Sequence, residues 1–235
     1  MNLSPRQRQY LHLMGIDVWT DRHAVADEAT AVDGKAMSAG ATGDPSEEAD
    51  VWEKLRKEVT VCRKCDLHQG RTQTVFGVGD IHADWMLIGE APGAEEDRQG
   101  EPFVGRAGKL LNAMLLAIGL KREQVFIANI LKCRPPNNRD PRPEEVAACA
   151  PYLKQQIELI RPKIILALGR IAAQNLLKVD TPIGKMRGRC YEYPDPRVPV
   201  VVTYHPAYLL RSPREKQKSW QDLQLAMQIY NEGGS

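Results

Sequence analysis

From Pro45 onward the apolar positions fall into two alternating rhythms. Four short runs, Trp85–Ile88, Val125–Ile130, Lys163–Leu168 and Val198–Thr203, are of strand length and largely apolar. Between them Leu111, Met114, Leu115 and Ile118 recur at the spacing of one helix face, and Val146, Tyr152, Leu153, Ile157 and Ile160 mark a second helix. Ser46, with acids behind it, opens a further helix whose stripe of Trp52, Leu55 and Val59 runs up to Cys62. Strands apolar on both faces and separated by helices predict an α/β fold with a mostly parallel sheet covered on two sides. No internal repeat interrupts this order.

The first fifth of the chain breaks the rhythm. Residues 24–50 contain no Leu, Ile or aromatic residue and are rich in Ala, Gly and acids. Such a stretch buries too little apolar surface to offset its ordering entropy, so a flexible acidic linker is expected over 24–45. Before it lies an apolar island from Gln7 to Trp19, which makes residues 1–23 a short interaction segment and 46–235 the folded domain. Tyr10, Leu13, Met14 and Trp19 form a strip that serves a partner or folds back on the body.

Charge follows the same division. The net charge of +2 combines +1 on residues 1–23, −6 on residues 24–50 and +7 on the remainder. A basic body suits a polyanionic partner. No apolar run approaches the roughly 20 residues that span a bilayer, and the N-terminus has no long apolar stretch of the signal type. A monomer in the cytoplasm, near the nucleoid, is the expectation.

In doubly wound α/β folds ligands sit outside the carboxyl ends of the strands. Here those ends read Gly89-Glu90-Ala91-Pro92-Gly93, Asn129, Gly169-Arg170 and Tyr204-His205-Pro206. A carboxylate, an amide and an imidazole should therefore converge. The cysteines form a second constellation. Cys62 and Cys65 are two residues apart, and Cys133 and Cys149 enclose fifteen. A Cys-x2-Cys turn places two thiolates on one metal or cluster, and two more complete a four-thiolate set. Spacing alone accepts zinc as well as a 4Fe-4S cluster. Cys190 is left over, as a small buried apolar residue.

Four motifs then carry a specific resemblance. Gly89–Gly93, Glu101-Pro102-Phe103-Val104-Gly105-Arg106-Ala107-Gly108, Asn129-Ile130-Leu131-Lys132-Cys133-Arg134-Pro135-Pro136 and His205-Pro206-Ala207-Tyr208-Leu209-Leu210-Arg211 resemble, in order, the family 4 uracil-DNA glycosylases. These are the iron–sulfur enzymes of bacteria and archaea, and the resemblance covers about residues 50–230. It implies a three-layer α/β/α sandwich on a four-stranded, mostly parallel sheet. It also implies a 4Fe-4S cluster on Cys62, Cys65, Cys133 and Cys149, and uracil-containing DNA as the partner.

The residue types suit that chemistry, in which a nucleotide is extruded and a pyrimidine anion leaves an oxocarbenium sugar. Asn129 would offer its carbonyl to uracil N3–H and its amide to O4, the opposite of what cytosine presents. Phe103 would stack on the base. His205 would donate to O2 as negative charge builds there, and Glu90 would position water or balance the sugar. Gly89 and Gly93 permit close backbone approach. By resemblance Asn138 joins the catalytic residues and Glu96 the uracil pocket. Lys132, Arg134, Arg139, Arg142, Arg187, Arg189 and Arg211 are candidate phosphate contacts, and Leu209 and Leu210 candidate wedges for the gap left by the flipped base. The related type that traps uracil-DNA covalently expects a basic insertion ending in His, and residues 132–142 contain no His. Residues 6–19 resemble the start of the psi subunit of the bacterial polymerase III clamp loader, which implies a replisome partner. A non-catalytic replisome adaptor that kept the fold is the alternative to an enzyme.

Overall fold

A computed structural model of the chain describes residues 5–16 and 45–233. Its centre is four parallel strands, β2 (Trp85–Gly89), β3 (Phe126–Asn129), β4 (Ile164–Leu168) and β6 (Arg197–Thr203), which are the four apolar runs of the sequence. Two edge strands join them antiparallel, β1 (Val78–Gly79) and β5 (Cys190–Pro194). The sheet has six strands in the order β1-β3-β2-β4-β6-β5, not the expected four. The parallel core is as expected. The additions escape a pattern reading because β1 is two residues long and β5 is a half-exposed edge.

Side chains alternate strictly across this sheet. Met86, Ile88, Phe126, Ala128, Ile165, Ala167, Val200 and Val202 face one layer. It is formed by α2 (Pro45–Thr60), α6 (Pro143–Ile160) and α7 (Arg170–Leu177). Trp85, Leu87, Ile127, Ile164, Leu166, Leu168 and Val201 face the other. That layer holds α5 (Arg106–Ala117), α9 (Pro206–Arg211) and α10 (Lys216–Gly233). A period of two with both faces covered is what a buried parallel strand requires, and the result is the three-layer sandwich.

The N-terminal island supplies helix α1 (Pro5–Leu13). Leu11 and Met14, at 1% and 0% exposure, enter the α5 layer beside Leu111, Met114 and Leu115. Gly15, at φ +72°, closes the helix, with its N–H on His12 and that of Ile16 on Leu11. Of the two readings of the strip, folding back on the body holds for Met14, which that docking buries. The side chains of Tyr10 and Leu13, Trp19 and residues 24–44 of the linker lie outside the described residues.

Candidate active site

The carboxyl ends of β2, β3 and β6 open into one cleft of about 450 Å³. It is lined by Glu90, Gly93, Glu96, Phe103, Asn129, Asn138, His205 and Arg211 among others. Glu90 follows β2, Asn129 ends β3, and His205 is the first residue before α9. Topology thus brings together the three residues read from strand ends.

Two glycines and a carboxylate set the geometry. A Cβ on Gly89 would collide with Asn129 Oδ1 and stand 2.7 Å from the Phe103 ring. Only hydrogen at that point lets amide and ring lie side by side. Phe103 has φ 54°, a conformation unfavourable for a bulky residue, so its surroundings must hold it. Glu96, in helix α4 (Ala94–Gln99), accepts the N–H groups of Val104 at 3.1 Å and Gly105 at 3.3 Å through Oε1. Gly93 leaves the space that Glu96 Oε2 needs, since a Cβ there would be 2.7 Å away. The Arg122 guanidinium donates to the Pro102 carbonyl at 2.6 Å.

The Phe103 ring stacks on His205, with centroids 5.5 Å apart and planes 30° from parallel. His205 Nδ1 accepts the Ala207 backbone N–H at 3.1 Å. Burial, helped by Arg211 and opposed by Glu96, pushes its pKa down to about 4. A neutral ring whose Nδ1 accepts carries its proton on Nε2, so His205 is a standing donor across the working pH range.

Glu90 is the opposite case. Burial, reinforced by the Asp140 carboxylate and opposed by Arg170, raises its pKa to about 7. Asp140 lines the same cleft and pairs with Arg170 at 2.6 Å. No sequence pattern marks Asp140, which sits in an irregular loop. Asn138, also at positive φ, accepts Arg134 Nε through Oδ1 at 2.8 Å.

None of the four cysteines of the expected ligand set lines that cleft. Cys62 follows α2, Cys65 precedes α3 (Leu67–Gly70), Cys133 lies beyond β3 and Cys149 lies within α6. All four are free thiols, and Cys133 and Cys149 are buried. Burial pushes Cys149 up to about 11, and the charges of Cys133 and Cys65 add to it. Burial likewise raises the pKa of Cys133, with the charges of Cys65 and Cys62 adding to it and Arg71 opposing. Arg71 Nη1 donates to Cys133 Sγ at 3.1 Å and the Lys132 N–H to Cys149 Sγ at 3.3 Å. Among the described residues, no group of three or more His, Cys, Asp or Glu is placed to hold a metal ion.

Residues 76–224 match the family model for the Uracil DNA glycosylase superfamily. A type-4 uracil-DNA glycosylase of Archaeoglobus fulgidus is 52% identical over 168 residues, covering 69% of this chain and 84% of the relative. The chain belongs to the type-4 uracil-DNA glycosylase family. A type-4 relative from Thermotoga maritima is 45% identical over 69% of this chain and 85% of its own length. A type-5 enzyme of Pyrobaculum aerophilum is 35% identical over 43% of this chain and 51% of its own length.

Within this type-4 chain several expected DNA contacts prove to be engaged within the protein. Lys132 is 1% exposed, its Nζ on the Asn129 carbonyl at 3.0 Å and Gln156 Oε1 at 2.6 Å. It fixes the end of β3 and cannot reach a phosphate. Arg139 is bound by both oxygens of the buried Glu145, and Arg187 by both oxygens of the buried Asp222. Leu209 is 0% exposed within the α5 layer, which removes it as a wedge. Cys190, expected buried, is exposed on β5. Arg134 and Arg211 stay beside the cleft, Leu210 half-buried behind it.

Proposed function

We propose that this chain removes uracil from DNA by hydrolysing its N-glycosidic bond, and that the strand-end cleft does the chemistry. The observation that carries this reading is His205: a neutral imidazole, its Nδ1 occupied by Ala207, stacked on Phe103 and facing the cleft that Asn129 lines. The extruded base lies on the Phe103 face. Asn129 reads its N3–H and O4 edge, a pattern that cytosine does not match. His205 donates from Nε2 to O2, strengthening as charge moves onto the departing base, and a neutral donor aimed at developing charge stabilises the transition state selectively. Glu90, ionised, faces the sugar and holds the attacking water. Glu96 acts through the Phe103 loop, and Gly89 through the space it leaves. Arg134, Arg211 and Asn138 at the rim bind the phosphodiester backbone or position it.

The thiols fit an iron–sulfur group of the 4Fe-4S kind. Four free cysteines come from three separate segments, and two of them already accept N–H donors of the sort that stabilise thiolates. When bound, the cluster would supply a structural clip between the Cys62–Cys65 turn, the end of β3 and α6. Among the described residues no helix is long and apolar enough to cross a membrane.

The test is an oligonucleotide with one uracil, incubated with the purified protein and then cleaved in alkali. Strand scission only where uracil stood supports the reading. An intact strand, with free uracil undetected, refutes it.

A further inference from the structure

Beside the His205 loop stands a column of side chains that the excision chemistry leaves unused. Arg187 follows helix α8 (Ile183–Met186) and grips Asp222 of α10 with two bonds, at 2.7 and 2.9 Å. Asp222 is fully buried and Arg187 nearly so, which fixes the guanidinium. Its Cζ lies over the ring of Tyr204, 4.5 Å from the centroid. Tyr204 in turn packs against Tyr208, with centroids 4.9 Å apart at 44°. Tyr208 is 37% exposed and lines the cleft.

We infer that Tyr208, backed by Tyr204 and Arg187, is the side chain that enters the duplex and fills the gap left by the extruded uridine. Consecutive residues of a helix point about 100° apart. In α9 this sends Leu209 into the core and Tyr208 out to the rim. Leu210 packs half-buried against the same core, so Tyr208 is the large apolar side chain of α9 that stands exposed. An aromatic ring stacks on any base, which suits an enzyme that must find uracil in every sequence context. A ring held from behind loses little freedom on insertion, so more of the stacking is available to hold the base pair open.

The inference rests on the excision reading. Its test compares single-turnover uracil release from a duplex with adenine opposite uracil and from one with a pyrene nucleotide there, which itself fills the space of the missing pair. Tyr208→Ala slows release from the adenine duplex about tenfold or more, the scale of one base–aromatic stack. Pyrene recovers most of that loss, and Tyr208→Phe recovers it on both duplexes. Melting temperatures of the variants match the wild type. Equal losses on both duplexes overturn the inference, as does full activity of Tyr208→Ala alongside a slow Leu210→Ala. Wild-type protein that releases no uracil from either duplex fails the excision reading instead. Binding to duplex holding an abasic site then tests Tyr208 alone, and Tyr208→Ala that binds it as tightly as wild type overturns the inference.

Discussion

The cleft and the cysteine corner flank the same loop after β3 and are built by opposite means. In the cleft every key side chain is held by the protein's own contacts: Phe103 by Glu96 and Arg122, His205 by Ala207, and Asn129 by the room left at Gly89. In the corner the support is sparse: Arg71 and the Lys132 backbone each give one N–H to Cys133 and Cys149, and burial raises the pKa of Cys65, Cys133 and Cys149. A preorganised site stabilises a transition state without rearranging at the moment of reaction. A corner awaiting a ligand gains its stability when the ligand binds. The first should therefore fail in rate and the second in folding.

Gly89→Ala should show the largest effect on rate. The new methyl must displace either the Asn129 amide or the Phe103 ring, and a displacement near 1 Å costs on the order of 10²-fold in excision. Its melting temperature should fall far less than its rate, measured by single-turnover release and thermal unfolding on one preparation. Cys149→Ala should invert that ratio: iron falls from about four per chain, and the melting temperature drops with it. A cysteine variant that keeps its melting temperature while losing iron would break the contrast.

The pH profile sharpens it. In the proposed reaction Glu90 acts as a carboxylate, and burial raises its pKa to about 7. The acid form dominates below that value, so kcat/KM should rise with pH through about 7 and level off above. Glu90→Gln should be slow and lack that limb. His205 titrates near 4 and contributes no limb at neutral pH. A smaller effect belongs to the N-terminal segment. Leu11→Ala should cost about 2–5 kcal/mol of stability, the range for emptying a buried leucine site, and leave uracil release unchanged at temperatures where the protein stays folded.

How far the sequence could be read follows from which interactions are local. The four parallel strands are buried on both faces and appear as continuous apolar runs, whereas β5 alternates between exposed and half-exposed and reads as loop. Glu90, Asn129 and His205 were legible because strand ends converge in this topology. Phe103, Glu96 and Asn138 came only with the resemblance. Lys132 and Leu209 show the limit. Residue type marked one as a surface cation and the other as a wedge, but Lys132 finds its acceptor on Gln156, far along the chain, and Leu209 points inward by the phase of a six-residue helix. Asp140 and the Arg187–Tyr204–Tyr208 column depend wholly on tertiary packing.

The central claim is that a neutral His205 held in a finished cleft drives the departure of the base. The direct measurement is the single-turnover rate of uracil release by His205→Ala beside the wild type, at pH 7.5 with enzyme in excess. The account predicts a loss of roughly 10²-fold or more, the worth of one donor to a developing oxyanion, with folding and DNA affinity retained. A variant that releases uracil at the wild-type rate would remove His205 from the chemistry and contradict the account.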